Sequence, residues 1–289
     1  MTTMHTSDVT IFSGPGLRLS GRVYHPAEDR DRHAGIVFCH GFGGVKEGTP
    51  VGLSEILAQH GYTVLTFDYR GFGGSEGPRG RLVPAEQVED AVHAVEYLAS
   101  LPGVDRRRVG IYGTSFGGGI AALAALRSEH IRAAIVTVPV TSGGQWLRSI
   151  TRHYEFLTLK QRAYAAIAHK AKSGEMEMVD RFEVMLPDPL SRERFGQQPF
   201  PMAMETFFHV LHHEPISEAA RIAVPTFVIG VRGDPLVPVE QAIEFHDRLA
   251  CKKALSLHEG DNHYVVYEGL LAKVGDMATG WYDEHIAGA

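Results

Sequence analysis

Residues 108–128 read RVGIYGTSFGGGIAALAALRS. A short apolar run rich in β-formers passes directly into Gly113-Thr114-Ser115-Phe116-Gly117, and an Ala/Leu-rich run follows. The first run predicts a strand and the last a helix, which leaves Ser115 only a tight turn. The flanking glycines permit that turn and the close strand–helix approach. The positive end of the helix then lies beside the serine hydroxyl. A bare G-x-S-x-G is a weak signal, and its placement between strand and helix makes it strong.

The same pattern occurs earlier, as Gly73-Gly74-Ser75-Glu76-Gly77 within GFGGSEGPRG (71–80). It also follows an apolar run, but Gly77, Pro78 and Gly80 come next and no helix can start there. Ser75 is therefore read as a loop residue and Ser115 as the nucleophile.

Around this point the chain alternates strands and helices. Strands are expected at Val9–Phe12, Leu17–Tyr24, Gly35–Cys39, Thr63–Tyr69, Val109–Tyr112, Ala133–Val138, Thr226–Val231 and Ala254–Leu257. From Gly35 onward they are short and rich in Val, Ile and Phe, as strands buried on both faces are. Helical patterns at Val51–His60, Ala85–Ser100, Phe116–Ser128, Val239–Ala250 and Tyr264–His285 separate them. This rhythm predicts an α/β fold with a mostly parallel, doubly wound sheet. The first two strands lack an intervening helix and are expected to form an antiparallel hairpin at the sheet edge.

From Thr141 to about Glu214 no strand candidate occurs. The segment is rich in helix formers and holds five of the eight methionines, between Met176 and Met204. A loop of this length without structure is improbable in a compact domain. Residues 141–214 are therefore read as a helical cap inserted into a core built from 1–140 and 215–289. Met202, Met204 and Phe207 are taken as substrate-pocket candidates, because flexible Met and rigid Phe suit an apolar pocket.

A serine hydroxyl needs a base, and the base an orienting acid. Asp234 lies just past a strand in TFVIGVRGDPLVP (226–238), and His263 just past the next in ALSLHEGDNHYV (254–265). The order Ser…Asp…His is that of a nucleophile-elbow hydrolase. Asp261 is too close in sequence to His263 to be its natural orienter. The developing oxyanion needs backbone N–H donors. Phe116 offers one, and Phe42, in the His40-Gly41-Phe42-Gly43-Gly44 turn after Cys39, offers the other. His40 is read as a structural hydrogen-bonding residue. His209, His212 and His213 could share a helix face, but no acidic or Cys partner is arranged near them. No metal and no organic cofactor is implied.

Taken together, HGFGG, DYRGFGGSEG, GTSFGG, GDPLVP and DNH resemble the α/β-hydrolases in order and position. The resemblance runs from about Val9 to Trp281 outside the cap. Within that superfamily the chain is similar to bacterial esterases and acyl-hydrolases and to related proteins of polyketide pathways. It implies an α/β-hydrolase fold and a serine mechanism on carboxylic esters. Transfer to another acyl acceptor, thioester hydrolysis, a peptidase and a noncatalytic binding protein stay open as alternatives.

Composition sets the outer bounds. The 289 residues are 44% hydrophobic and 21% charged, with a net charge of −6. These are ordinary values for a globular protein. No Lys/Arg block exceeds Arg106–Arg108, which argues against nucleic acid as a partner. The N-terminus has no signal-peptide pattern, and no run of about 18 apolar residues occurs. Cys39 and Cys251, the two cysteines, are read as buried reduced thiols. The expectation is a cytoplasmic enzyme acting on a small-molecule ester or acyl substrate. Nothing in the sequence sets its oligomeric state.

Overall fold

The computed structural model describes residues 4–14 and 16–287. The first half of the chain runs β1 (His5–Ser13), β2 (Leu17–His25), β3 (Ala34–Cys39), α1 (Pro50–Gln59), β4 (Tyr62–Phe67), α2 (Pro84–Ala99), β5 (Val109–Thr114), α3 (Phe116–Ala124) and β6 (Ile131–Thr137). The segment that follows contains α4 (Gly143–Ser149), α5 (His153–Ser173), β7 (Met178–Asp180), α6 (Arg181–Val184), α7 (Pro189–Phe195), β8 (Pro201–Ala203) and α8 (Glu205–Leu211). The chain then returns through β9 (Thr226–Arg232), α9 (Glu240–Arg248), β10 (Lys253–Glu259) and α10 (Leu271–Tyr282).

Eight strands form one sheet in the order β1-β2-β4-β3-β5-β6-β9-β10. β2 pairs antiparallel with both β1 and β4, and the remaining pairs are parallel. From β3 the chain winds one way to β4, then crosses back to β5 on the other side. That reversal is the switch point at which open α/β sheets place their ligands. β3, β4 and β5 are buried along their whole length. Their side chains alternate between two helix-covered faces, as a period of two requires. Val37, Cys39, Leu65 and Phe67 pack toward α2 and α3, while Ile36, Phe38, Tyr62 and Val64 pack toward α1 and α10. Burial of each large side chain contributes roughly 1.5–3 kcal/mol.

Three expectations need correction. The segment after β6 is not wholly helical, because β7 and β8 pair antiparallel through Met178–Ala203, Val179–Met202 and Asp180–Pro201. Three-residue strands, one beginning at Pro201, carry no readable alternation. The ribbon docks where the Ala203 N–H donates to the Gly80 carbonyl at 2.8 Å. Gly80 has φ +70°, and a Cβ there would lie 2.3 Å from the Pro201 oxygen, so the seat admits only glycine. The helix expected over Tyr264–His285 is broken into a 3₁₀ turn, His263–Tyr267, and α10. Cys39 is buried as expected, but Cys251 is only partly so, since it lies in the turn between α9 and β10. Burial pushes the Cys39 thiol up to about 12.

Among the described residues, no helix is long and apolar enough to cross a membrane.

Candidate active site

Ser115, Asp234 and His263 each follow the carboxyl end of a parallel strand, β5, β9 and β10 respectively. Ser115 has φ 55° and ψ −126°, a positive φ that non-glycine residues rarely adopt. The turn is held from outside. Its N–H donates to Thr137 of β6 at 2.9 Å, and its carbonyl accepts from Gly118 and Val140, each at 2.9 Å. The two motif glycines serve close approach. A Cβ at Gly113 would sit 2.3 Å from the Gly117 oxygen, and one at Gly117 would sit 2.2 Å from the Cys39 oxygen. Strand, turn and helix therefore interlock with the end of β3. Strain of this kind persists only where the surroundings over-determine it.

Asp234 is positioned by its own turn. One carboxylate oxygen accepts from the Leu236 and Val237 N–H groups at 2.8 and 3.0 Å. The other accepts from Nδ1 of His263 at 2.6 Å. Both side chains are almost fully buried, which fixes the ring orientation. The Asn262 side chain caps the 3₁₀ turn by accepting from the Tyr264 N–H at 2.8 Å, and so the break in the expected helix holds His263 at its start.

Ser115 and His263 line one cavity of about 250 Å³. The Ser115 hydroxyl makes no hydrogen bond to another protein group among the described residues. Such bonds are often long in unliganded enzymes and tighten with substrate. Phe42 lines the same cavity. It lies in a turn closed by Gly44 N–H to the Gly41 carbonyl, 3.1 Å, which leaves the Phe42 N–H out of the turn bond. The Phe116 N–H, first in α3, has no acceptor inside its helix. The Phe42 and Phe116 rings meet edge to face, 5.8 Å apart, so the two turns are packed against each other.

The residues of the 141–214 segment at the cavity differ from those expected. Met202, Met204 and Phe207 do not line it and are fully buried. β8 turns Met202 inward against the Gly43 turn, its terminal carbon 3.5 Å from where a Cβ would stand, and Phe207 packs on Phe156 of α5. Instead Arg181, Phe182, Met185, Phe195 and Phe200 form the wall, with Trp146 of α4. Trp146 donates its indole N–H to the Leu236 carbonyl at 2.9 Å, linking α4 to the Asp234 turn. Its place one loop past β6 was the available signal in the sequence.

A larger cavity of about 520 Å³ contains neither Ser115 nor His263. His209, His212 and His213 line it, but no cluster among the described residues could hold a metal ion. Burial pushes His213 down to about 3, so it is neutral at physiological pH. His40 is buried, with Nδ1 3.1 Å from the Gly41 carbonyl.

Comparison with known proteins agrees with this architecture. Residues 30–269 match the hydrolase family described as serine aminopeptidase, S33. An Escherichia coli protein called the uncharacterized 31.7 kDa protein in the traX-finO intergenic region is 29% identical over 283 residues, 94% of this chain and 96% of its own. The thiohydrolase aneE of Aspergillus aculeatus is 25% identical over 278 residues, 89% of this chain and 86% of its own. The solved structure of DcsB in complex with its substrate analogue superposes with a TM-score of 0.85 at 21% identity, covering 98% of this chain and all of that one. With its sheet order, its strand–serine–helix turn and more than four-fifths of its length matched, this chain belongs to the serine aminopeptidase S33 family of α/β-hydrolases.

Proposed function

We propose that the chain is a serine hydrolase of carboxylic esters. The observation that carries this is the buried 2.6 Å bond that Asp234 accepts from a histidine sharing its cavity with Ser115. In this reading Ser115 Oγ attacks the carbonyl carbon and its proton passes to His263. Asp234 holds the imidazole tautomer and stabilises the imidazolium. The Phe42 and Phe116 N–H groups receive the oxyanion. As the tetrahedral intermediate collapses, the C–O bond to the alcohol breaks and the alcohol leaves with the proton from His263. Water then repeats the sequence on the acyl-enzyme and releases the acid. These steps call on no metal or organic cofactor. Substrates are small-molecule esters, and the compartment is the cytoplasm.

Thioester hydrolysis is a second reading, favoured by the likeness to a thiohydrolase. A fluorophosphonate probe tests the shared chemistry: it is expected to label Ser115, and labelling elsewhere or nowhere sinks both readings. Product analysis with matched oxygen and sulfur esters, with and without added alcohol, then separates hydrolysis of either bond from acyl transfer.

A further inference from the structure

Arg181 differs from three nearby arginines that meet carboxylates, Arg70, Arg81 and Arg162. Arg70 bonds to Asp90, Glu89 and Ser13. Arg81 pairs with Glu86 and Glu205, and Arg162 with Glu177 and Glu183. Arg181 has no carboxylate partner among the described residues. Its neighbour Asp180 turns its two oxygens to the Phe182 and Phe200 N–H groups, at 2.9 and 3.0 Å. One side-chain bond is made, from Nη2 to the Phe195 carbonyl at 3.0 Å. Nε is buried without a partner.

The guanidinium is nevertheless held firmly. Its carbon lies 4.8 Å from the ring centre of Phe182 and 5.0 Å from those of Phe195 and Phe200. Partial burial lowers its proton affinity, yet an arginine stays charged in a protein. The result is a fixed, partly desolvated cation with unused donors. It lines the cavity that contains Ser115 and His263, and among the described residues no Asp or Glu lines that cavity. Asp180 acts on it through space without pairing; a partly desolvated charge that lacks a paired counter-ion is costly, and a planar fork of donors suits a carboxylate in two-point contact.

We infer that Arg181 is the specificity-determining residue for a substrate carrying a carboxylate, bound while Ser115 attacks the ester or thioester carbonyl. The cavity is small for a ligand site, so the carboxylate and the scissile carbonyl belong to one compact molecule. The same arrangement disfavours peptide amines, which need an acidic partner where the cavity offers a cation. This inference deepens the hydrolase reading and rests on it for the reaction, though not for the binding.

The test compares kcat/KM for two matched pairs. Nitrophenyl hydrogen glutarate against nitrophenyl pentanoate places the carboxylate on the acyl side. Carboxymethyl butanoate against propyl butanoate places it on the leaving side. In at least one pair the charged member is expected to be favoured. Arg181→Gln should cut that charged-to-neutral ratio by about 10- to 100-fold, the worth of a charged hydrogen bond. Arg181→Lys, which keeps charge without the fork, should recover part of it. No preference in either pair, or equal losses on both members of the preferred pair, overturns the inference. Glutarate titrated calorimetrically into Ser115→Ala protein, with and without Arg181→Gln, tests binding without chemistry. Arg181-dependent binding with no turnover of any ester would sink the hydrolase reading and keep the anion site. Turnover of neutral esters with neither preference nor glutarate binding would do the reverse.

Discussion

The chain contains G-x-S-x-G twice, and the two copies differ in what the serine hydroxyl is asked to do. Ser75 and Ser115 are almost equally buried, at 4% and 7% exposure, so burial does not tell them apart. Hydrogen bonding does. Ser75 Oγ donates to the Asp68 carbonyl at 2.6 Å and accepts from the Ser20 N–H at 2.8 Å. The Asp68 carboxylate in turn accepts from Lys46 N–H and Gly74 N–H at 2.7 and 2.9 Å. The first copy is thus a knot joining β2, β4 and the following loop. Ser115 has the strained backbone, and its hydroxyl faces the cavity without a protein partner. The two serines thus differ in bonding capacity: that of Ser75 is used within the fold, and that of Ser115 is left open toward the cavity.

The comparison breaks first on activity. Ser115→Ala is expected to lower kcat by about 10⁴- to 10⁶-fold with unfolding behaviour intact, since it deletes the attacking atom. Ser75→Ala should stay far closer to the parent rate. Ester-hydrolysis assays on both variants decide the matter, and the opposite ranking would reassign the nucleophile. Asp234→Asn comes next, at about 10⁴-fold in kcat, because the amide supports the wrong imidazole tautomer. A near-normal Asp234→Asn enzyme would send the search to another acid.

Stability effects follow. Met202 packs in the ribbon that sits on Gly80, at the end of the Ser75 loop. Met202→Ala should cost about 2–5 kcal/mol without changing the preference between short and long acyl esters. Denaturant unfolding and a chain-length series measure the two quantities. A changed preference at unchanged stability would return Met202 to the pocket. Ser75→Ala should cost about 1–3 kcal/mol, by leaving the Ser20 N–H and the Asp68 carbonyl unpaired. Wild-type stability in that variant would mean the knot is not structural.

The smallest effect concerns His213, whose ring packs 5.0 Å from that of Phe116, the residue after Ser115. Its folded affinity for protons is depressed to about 3 by burial, against about 6.5 in an unfolded chain. Below pH 6.5 the unfolded chain binds a proton that the folded chain does not, so this histidine's share of stability falls as pH falls toward 3. The slope is about 1.4 kcal/mol per pH unit. His213→Gln should remove that slope in unfolding titrations between pH 6 and 5. Identical slopes in the two proteins would show that His213 takes up a proton while folded.

The elbow was legible in the sequence because strand, serine and helix are contiguous. Asp234 and His263 were legible as places because each follows its own apolar strand, and the structure adds their 2.6 Å contact. The cavity wall was not legible. Arg181, Phe195 and Phe200 converge from short, irregular pieces around three-residue strands, where no period has room to show. Composition pointed to the methionines, but a methionine-rich stretch says nothing of which side of a strand each side chain takes. Met202 took the inner side. The Gly80 seat was hidden for a related reason, since a glycine ending a helix-free loop reads as punctuation until its partner carbonyl is located.

That seat also bears on motion. The ribbon is three residue pairs long, and two-stranded ribbons are marginal by themselves. Its backbone protection therefore depends on a few bonds at its edges, Ala203 to Gly80 and Met204 to Glu177, both 2.8 Å. Amide exchange at Val179 and Met202 is expected through a partial opening well below the global unfolding free energy. The β5 amides beneath Ser115 should exchange only when the whole sheet comes apart. Because Arg181 begins directly after the ribbon, such an opening would loosen the part of the cavity wall that carries Arg181 while the elbow stays fixed, and the two walls of the site would then keep time on different clocks.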